Sequence, residues 1–390
     1  MPREKGGKEP IDASQYDPMM IRLRRGVVVQ VADSRPGLAE LWVELDGSRE
    51  PAIAYPALTG PVTVGDTVVL NTTALASGLG SGGYHFVVAV EGQEDQDPPA
   101  QGHIIKMRYT PHQAKVLAVE EQSSPHRAAL EATEDLGGLP VLWLPLHSML
   151  GVACAGAKAA GAARVAYVMT DGAALPLWLS HQVHDLRQAG LIDSVITAGQ
   201  ALGGDHEAVN LFSALLAARA VCDADVVVVS DGVGKVGTGT RWGASDVSSG
   251  MALNVAAILH GQPVAALRIN FADPLYRHYG VSPHSITVLT RIAQTPVEVA
   301  LPVLGGERQE LVRDTLRDAG VEERHRLTEL DGAPAVTLLQ GLGVRAETMG
   351  RSLASEPEFF SAAGAAGALA ARLAGAPAYG RREAHRAADG

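Results

Sequence analysis

Apolar and polar residues alternate in short segments between residues 20 and 92. Alternation with a period of two is typical of half-buried β-strands, and turn residues such as Asp46-Gly47 separate the segments. No segment of this region has the periodicity of a helix. Because a set of about five short strands without helices has to cover its own edges, we predict a small closed β-barrel over residues 20–92.

The pattern changes after an acidic segment with two prolines, EGQEDQDPPAQ, at residues 91–101. This composition is typical of a linker, which we place at residues 93–101. Ahead of the barrel, residues 1–19 are polar and lack the apolar segment of a signal peptide, so we predict a disordered tail there.

From residue 102 onward, apolar runs of strand length alternate with amphipathic segments of helix length. This repetition predicts a mostly parallel sheet with helices on both faces. We therefore predict an α/β, Rossmann-like layered domain over residues 102–305 and a mainly helical region over residues 306–390. The predicted strands are Lys115–Val119, Val141–Pro145, Arg164–Thr170, Ser194–Ala198, Val226–Ser230, Pro263–Asn270 and Val297–Val303. The helices that follow them include Pro125–Asp135, His206–Cys222 and Ser245–His260.

Composition narrows the class of protein. With 46% hydrophobic and 19% charged residues the chain is globular, and its net charge of −11 disfavours a nucleic-acid binder, which usually presents a basic face. No apolar run reaches the length of about 18 residues that a membrane span needs. We therefore expect a cytoplasmic protein without a membrane partner. Cys154 and Cys222 are isolated in apolar segments, so we predict two reduced, buried thiols.

The most informative segment is ADVVVVSDGVGKVGTGTRWGASDVSSG, at residues 224–250. Four consecutive valines, Val226–Val229, predict a strand buried on both faces, and a loop rich in glycine and cations follows it. α/β proteins commonly bind phosphates and other small molecules at such a loop. We predict that its backbone amides and polar side chains bind an anion. The predicted ligand-binding residues of this glycine-rich loop are Gly232, Gly234, Lys235, Gly237, Thr238, Gly239, Thr240 and Arg241.

Known nucleotide-binding patterns fit this loop poorly. Residues 232–237 match G-x-G-x-x-G, but the next helix is predicted to begin near Asp246, too late for its N-terminus to meet a pyrophosphate. Lys235 lacks the G-K-[S/T] ending of a Walker A motif. The cofactor therefore stays unknown. The alternative interpretation is that the glycines only permit a tight crossing between strand and helix.

A second loop, at residues 273–285, concentrates chemically capable side chains. Asp273 and Arg277 are predicted to bind ligand, because a guanidinium suits a carboxylate or a phosphate, and His278 and His284 are candidates for proton transfer. The C-terminal ends of parallel strands share one edge of a sheet, so we expect this loop and the glycine-rich loop to face one cleft. The alternative is a polar surface loop whose serines cap the next helix.

Carboxylates at other strand ends complete the candidate site. Asp171 follows a predicted strand, and Glu207 is predicted at a helix N-terminus, where the helix dipole favours an acid. With His284 and His278, these two residues form the predicted catalytic set.

Two further histidines, His181 and His184, are one helical turn apart. Such spacing can bind a metal, but the apolar residues between them predict that the histidines flank an apolar face at the surface. We therefore predict no metal site.

Several long motifs together carry a family resemblance. They are MIRLRRG, AYPALTG, VGDTVVLNTTAL with LGSGGY, GHIIKMRYTPHQ, LHS at residues 146–148, VMTDGAALP, TAGQALGGDHEAV, GVGKVGTGTRWGAS and NFADPLYRHYGVSPHS. Over roughly residues 20–305 the chain resembles an uncharacterised bacterial family, a domain of unknown function. The resemblance implies no activity, but it implies that the two loops form one site. Gln200 and Pro283 stand where the resemblance implies histidines, which argues against a catalytic role at either position.

These features predict a protein that binds a small anionic metabolite, as an enzyme or as a binding protein, in a cleft between residues 231–241 and 273–285. One alternative is a non-catalytic assembly protein, and in either case we expect a homo-oligomer. The other alternative is RNA binding through the barrel, which needs a basic face. Arg22, Arg24 and Arg25 form the one basic cluster of that region, at one end of it.

Overall fold

The computed structural model describes residues 20–93, 95–272 and 279–375. These residues belong to two compact units, which divide between Gln96 and Asp97. The first unit is a β-barrel with two short helices, and the second is an α/β unit.

Five strands and two short helices make up the first unit: β1 (Leu23–Arg35), β2 (Leu38–Leu45), β3 (Ser48–Ala54), α1 (Pro56–Thr59), β4 (Thr67–Asn71), α2 (Thr73–Ala76) and β5 (His85–Val90). The strands close into a barrel in the order β1-β2-β3-β5-β4, with β1 antiparallel to both β2 and β4. The β2–β3 hairpin turns at Asp46 and Gly47, whose φ angles of 50° and 81° are those of a tight hairpin turn. The predicted barrel is thus confirmed.

The second unit alternates strands and helices along most of its length. Its first half contains β6 (Ile104–Lys106), β7 (Ala114–Val116), α3 (Arg127–Glu131), β8 (Pro140–Trp143), α4 (Leu150–Ala159), β9 (Val165–Thr170), α5 (His181–Gln188), β10 (Ser194–Ala198), β11 (His206–Ala208), α6 (Leu211–Ala220) and β12 (Val226–Asp231). Its second half contains α7 (Ser245–Ser249), α8 (Ala252–Ile258), β13 (Gln262–Ala265), β14 (Ile269–Asn270), β15 (Gly280–Val281), α9 (Pro283–Thr287), β16 (Glu298–Pro302), α10 (Gly306–Asp318), α11 (Val321–Arg324), β17 (Arg326–Leu330), α12 (Ala333–Gly341), β18 (Glu347–Thr348), β19 (Arg351–Ser352) and α13 (Pro357–Gly375).

Eight of these strands form one parallel sheet in the order β11-β10-β9-β12-β8-β13-β16-β17. The four valines Val226–Val229 of β12 are 0% exposed, because helices cover both faces of the sheet. Continuous apolar strands of this kind are what a sheet buried on both faces requires. The predicted fold class, a small barrel followed by a mostly parallel α/β layered sheet, is confirmed.

The chain changes direction at the adjacent strands β8 and β12. β8 connects to β9 through α4, past β12, whereas β12 connects to β13 through α7 and α8, past β8. Leu142 of β8 packs in the same apolar cluster as α4, and Val141 and Trp143 pack with α8, so the two connections cover opposite faces. Such a pair is a topological switch point, and open α/β sheets bind ligands outside the carboxyl ends of the strands at this point.

Small residues let α13 lie very close to α4. A Cβ atom at Gly367 would lie 1.9 Å from Ala153 O, and one at Gly156 would lie 2.2 Å from Gly364 O. The Ala/Gly-rich composition of the C-terminal helix is therefore a packing requirement of this face of the sheet.

The segment around Glu207 differs from its predicted structure. His206–Ala208 is the strand β11 and not the start of a helix, because its backbone pairs in parallel with β10. α6 begins later, where Asn210 Oδ1 accepts a hydrogen bond from Ser213 N at 3.1 Å. The helix predicted over Ser245–His260 is two helices, α7 and α8.

Three strands also differ from the prediction. β13 ends at Ala265, and the rest of the predicted strand turns away so that β14 pairs antiparallel with β15. β7 pairs with β6, and of the predicted strand Lys115–Val119 it is Ala118 that joins the main sheet, through a single parallel bridge to Glu207 of β11. β17 lies in the region predicted to be mainly helical and pairs with β16, because Leu327 and Leu330 pack in the apolar clusters on the two faces of the sheet.

The two cysteines are free thiols in different environments. Cys154 is fully buried in α4, and burial raises the pKa of its thiol. Cys222 is only half-buried, so its predicted burial holds in part. Within the described residues, no helix has the length and apolar character to cross a membrane.

Candidate functional site

A cavity of about 740 Å³ opens beyond the carboxyl ends of β8, β12 and β13. The residues of the glycine-rich loop from Lys235 to Arg241, apart from Thr238, border it on one side, and Ser282, Pro283 and His284 at the start of α9 border it on another. This first cavity therefore lies at the switch point of the sheet. The described part of the second predicted loop, residues 279–285, meets the glycine-rich loop there.

The lining of the first cavity is strongly cationic. Four of its side chains are lysine or arginine and one is a carboxylate. Arg268 is 8% exposed and belongs to the inner wall, whereas Arg241 and Arg291 are exposed at the outer part of the lining. The charged lining residues are Lys235, Arg241, Arg268, Arg291 and Asp246.

Lys235 is held by protein groups at the end of β12. Its side chain is 8% exposed, its Nζ lies 3.0 Å from Asp231 Oδ2, and it donates hydrogen bonds to Pro145 O at 2.6 Å and Ser249 Oγ at 3.2 Å. Burial lowers the pKa of this lysine, and the neighbouring Asp231 carboxylate opposes that shift. The ammonium thus has two hydrogen-bond acceptors and one anionic partner, and Lys235 fixes the glycine-rich loop to the sheet.

His284 connects the two loops. Its Nε2 lies 3.2 Å from Thr240 O, and its Nδ1 lies 3.8 Å from Asp246 Oδ1. Ser282 caps α9 by accepting a hydrogen bond from His284 N at 3.3 Å, as the alternative interpretation of this loop expects. The imidazole borders the first cavity and is the one titratable side chain of the predicted catalytic set that does so among the described residues.

The glycine-rich loop is closed by its own hydroxyl groups. Thr238 Oγ1 and Thr240 Oγ1 are 2.9 Å apart, and Thr240 Oγ1 accepts a hydrogen bond from Gly243 N at 3.1 Å. At Gly232 a Cβ atom would lie 2.7 Å from Ala174 O, so this glycine permits a close crossing of backbone. Gly234 and Gly239 have φ angles of 85° and 77°, in the left-handed region that favours glycine.

A second cavity of about 570 Å³ adjoins the first, and Leu146, Lys235 and Met349 border both. His147 borders the second cavity: its Nε2 lies 2.7 Å from Ser180 Oγ and its Nδ1 lies 3.2 Å from Tyr167 OH. Burial lowers the pKa of His147 to about 4, so its imidazole is neutral at pH 7. The predicted catalytic set omits His147, although its place directly after a buried strand was a usable signal.

Residues 51–367 match the model of a family described as a protein of unknown function, DUF3866. The chain belongs to the DUF3866 family. The family of unknown function expected from the motifs is thereby confirmed, and no curated protein matches the chain. All residues that border the two cavities lie within the part that matches DUF3866.

Glu207 lies away from both cavities in this DUF3866 member. Its Oε2 accepts hydrogen bonds from Lys106 Nζ at 2.7 Å and Thr197 Oγ1 at 2.6 Å, and its Oε1 accepts one from Gly203 N at 2.7 Å. Lys106 is fully buried, which lowers its pKa, and the Glu207 carboxylate opposes that shift. These contacts hold the edge strand β11 against β10.

The other predicted residues lie in several places. Asp171 follows β9, and its Oδ2 accepts a hydrogen bond from Gln200 N at 2.8 Å; it borders neither cavity. β9 and β10 continue toward the edge of the sheet, whereas the cavities lie over β8 and β12. The remaining members of the predicted set lie outside the described residues, namely Asp273, Arg277 and His278.

The DUF3866 fold places His181 and His184 on α5. Val183 and Leu186 of this helix are buried, His181 is exposed, and His184 is half-buried, as their spacing predicts. Within residues 20–93, 95–272 and 279–375, no group of three His, Cys, Asp or Glu side chains has the arrangement of a metal site.

Proposed function

We propose that this protein binds a small anionic metabolite in the first cavity. The observation that carries the proposal is the excess of positive charge, four cations against one carboxylate, in a cavity at the switch point of a parallel sheet. Both features are expected of an anion site: the fold provides a crevice there, and the lining provides the complementary charge.

The cations of the lining differ in what they can do. Arg241 and Arg291 are exposed, so their guanidinium groups can reach a bound anion and donate paired hydrogen bonds. Lys235 is paired with Asp231 and already donates hydrogen bonds to protein acceptors, so it positions the glycine-rich loop and adds little net charge. With Lys235 offset by Asp231, three arginines against one carboxylate leave the lining with a net charge of about +2, which suits a phosphate dianion better than a single carboxylate.

An enzymatic role of the same cavity depends on His284. Imidazole is suited to proton transfer near neutral pH, and the Asp246 carboxylate beside Nδ1 favours a fixed ring orientation. The function that we propose is binding. If the bound metabolite also reacts, His284 is the residue that would transfer the proton.

RNA binding through the barrel is less well supported than anion binding, because acidic side chains lie beside the arginines of its basic cluster. Arg25 Nε lies 2.6 Å from Glu91 Oε1, and an Arg22 nitrogen lies 3.8 Å from Asp46 Oδ2. These acids offset part of the charge of the basic cluster at the start of β1. Self-association and a cytoplasmic location stay predictions from the sequence.

Isothermal titration of the full chain with inorganic phosphate, inorganic diphosphate and citrate, at constant ionic strength, tests the proposal. We expect a phosphate ligand to bind, and Arg241→Gln and Arg291→Gln each to weaken it roughly 10- to 100-fold, the value of a charge-assisted hydrogen bond. The matched control is Arg372→Gln, which removes the same charge from the exposed end of α13. Absence of binding by all three anions, together with no anion co-purifying in native mass spectrometry, would contradict the proposal.

A further inference from the structure

The two cavities adjoin at a shared wall. Leu146, Lys235 and Met349 border both of them, and their volumes of about 740 Å³ and 570 Å³ are each large enough for a small organic ligand. A ligand longer than an inorganic anion can therefore extend from the first cavity into the second.

The charges of the two cavities differ. Lys235, which borders both cavities, is paired with Asp231; apart from it, the first cavity has three arginines against one carboxylate, whereas the second has Arg345 against two carboxylates, Asp185 and Glu347. A lining with this excess of carboxylate does not favour a second anion, and both carboxylates are strong hydrogen-bond acceptors. It favours a neutral group that can both donate and accept hydrogen bonds.

The second cavity offers the partners that such a group needs. Carboxylates accept hydrogen bonds from hydroxyl groups, and the hydroxyl groups of Ser148 and Thr348, which are 3.0 Å apart, can donate or accept. The neutral imidazole of His147 lies behind them, bonded to Ser180. A hydroxylated carbon chain or ring matches this set better than an apolar group.

The glycine-rich loop does not fill the space at the border of the second cavity. Gly234 belongs to the lining, and a Cβ atom built there meets no atom within 4 Å. Lys235, the next residue, directs its ammonium to the sheet end and not across the loop.

We propose that the natural ligand is a phosphorylated polyol or sugar, whose phosphate lies in the first cavity and whose hydroxyl groups lie in the second. This inference rests on the proposed anion binding and adds the class of the ligand. Leu146, Lys235 and Met349, which border both cavities, then lie beside the bridging part of the ligand.

Titration calorimetry of the full chain with four probes tests the inference: inorganic phosphate, inorganic diphosphate, glycerol 3-phosphate and ribose 5-phosphate. We expect ribose 5-phosphate to bind at least about 10-fold tighter than inorganic phosphate, the worth of one or two added hydrogen bonds. The double variant Asp185→Ala/Glu347→Ala should remove that gain and leave the affinity for inorganic phosphate within about 2-fold. Both acids are exposed, so the variant retains its fold. The control is Glu322→Ala/Glu323→Ala, which makes the same charge change on the exposed face of α11.

Each other outcome has a distinct meaning. If inorganic phosphate binds but ribose 5-phosphate binds no more tightly, the two-part ligand is wrong while anion binding stands. If the gain persists in the Asp185→Ala/Glu347→Ala variant, the hydroxyl groups do not lie in the second cavity. If diphosphate is the tightest probe, the second group is an anion and not a polyol. If none of the four probes binds, the proposed function itself fails.

Discussion

Lys235 Nζ lies 3.0 Å from Asp231 Oδ2, and the two side chains are only 8% and 2% exposed. Asp231 is the last residue of β12, and its Oδ1 accepts a hydrogen bond from Thr170 Oγ1 at 2.6 Å, so the carboxylate also joins β12 to β9. The pair therefore links the glycine-rich loop to the centre of the sheet. Both cavities depend on this link, since Lys235 borders each of them.

Loss of the lysine should be costly to stability. In Lys235→Met the Asp231 carboxylate stays buried without its cation, and we expect the free energy of unfolding to fall by about 3–5 kcal/mol in urea denaturation. Adding Asp231→Asn to this variant should recover part of the loss, because the uncompensated charge is then removed. The comparison is Arg317→Met, whose exposed pair with Asp314 should be worth less than about 1 kcal/mol. Equal effects of the two single variants would show that the Lys235–Asp231 pair is solvated.

Stability should fall in mild acid because of His147. Burial lowers the pKa of His147 from 6.5 to about 4 in the folded protein. The unfolded chain therefore binds the proton first, so this stabilisation is complete above about pH 6.5 and is lost as the pH falls toward 4. The full difference corresponds to about 3 kcal/mol.

Urea denaturation between pH 7 and pH 4 measures this dependence. His147→Gln should lower stability at pH 7 but flatten its slope with pH, because the group that titrates is gone. The matched control is His112→Gln, in the loop before β7, which makes the same substitution and leaves His147 in place. An unchanged slope in His147→Gln would mean that His147 binds its proton as readily in the folded protein as in the unfolded chain.

Local pattern predicted the fold class because each signal lies within a few residues. The run of valines in β12 is enough to predict a strand buried on both faces, and the dipeptide Asp46-Gly47 is enough to predict a hairpin turn. The common edge of the strand ends follows from parallel pairing, which is why the glycine-rich loop and His284 could be placed at one cleft in advance. The structure brings His284 Nε2 within 3.2 Å of Thr240 O.

Lateral strand order could not be predicted in the same way. Whether Asp171 or Glu207 lies near the glycine-rich loop depends on where β12 inserts, and no local pattern records that β12 pairs between β8 and β9. The contact of Lys235 with Pro145 joins residues 90 positions apart, and that of Lys106 with Glu207 joins residues 101 apart. Such pairings become visible only once the sheet is assembled.

The close approach of α4 and α13 makes Gly367 a sensitive position. In Gly367→Val the Cβ atom would lie 1.9 Å from Ala153 O, so the helices have to separate. We expect a loss of about 2 kcal/mol or more in the free energy of unfolding. Gly341→Ala, at the end of α12, has no atom within 4 Å of the new methyl group and should be neutral or stabilising by up to about 1 kcal/mol. Equal stability of the two variants would indicate that α13 is not packed on α4 in solution.

Replacement of Glu207 should separate stability from binding. Its carboxylate is the acid partner of the fully buried Lys106, and in Glu207→Ala that ammonium keeps only the backbone acceptors Thr197 O and Ala201 O. Because an uncompensated buried charge is then left, we expect a loss of about 3–5 kcal/mol in urea denaturation.

The affinity of the same variant for inorganic phosphate should stay within about 2-fold of the parent value, since Glu207 borders neither cavity. The double variant Lys106→Met/Glu207→Ala removes both charges, and it should recover stability relative to Glu207→Ala without changing phosphate affinity. A large loss of phosphate affinity in the stable double variant would show that Glu207 contributes to the ligand site, as the sequence analysis predicted.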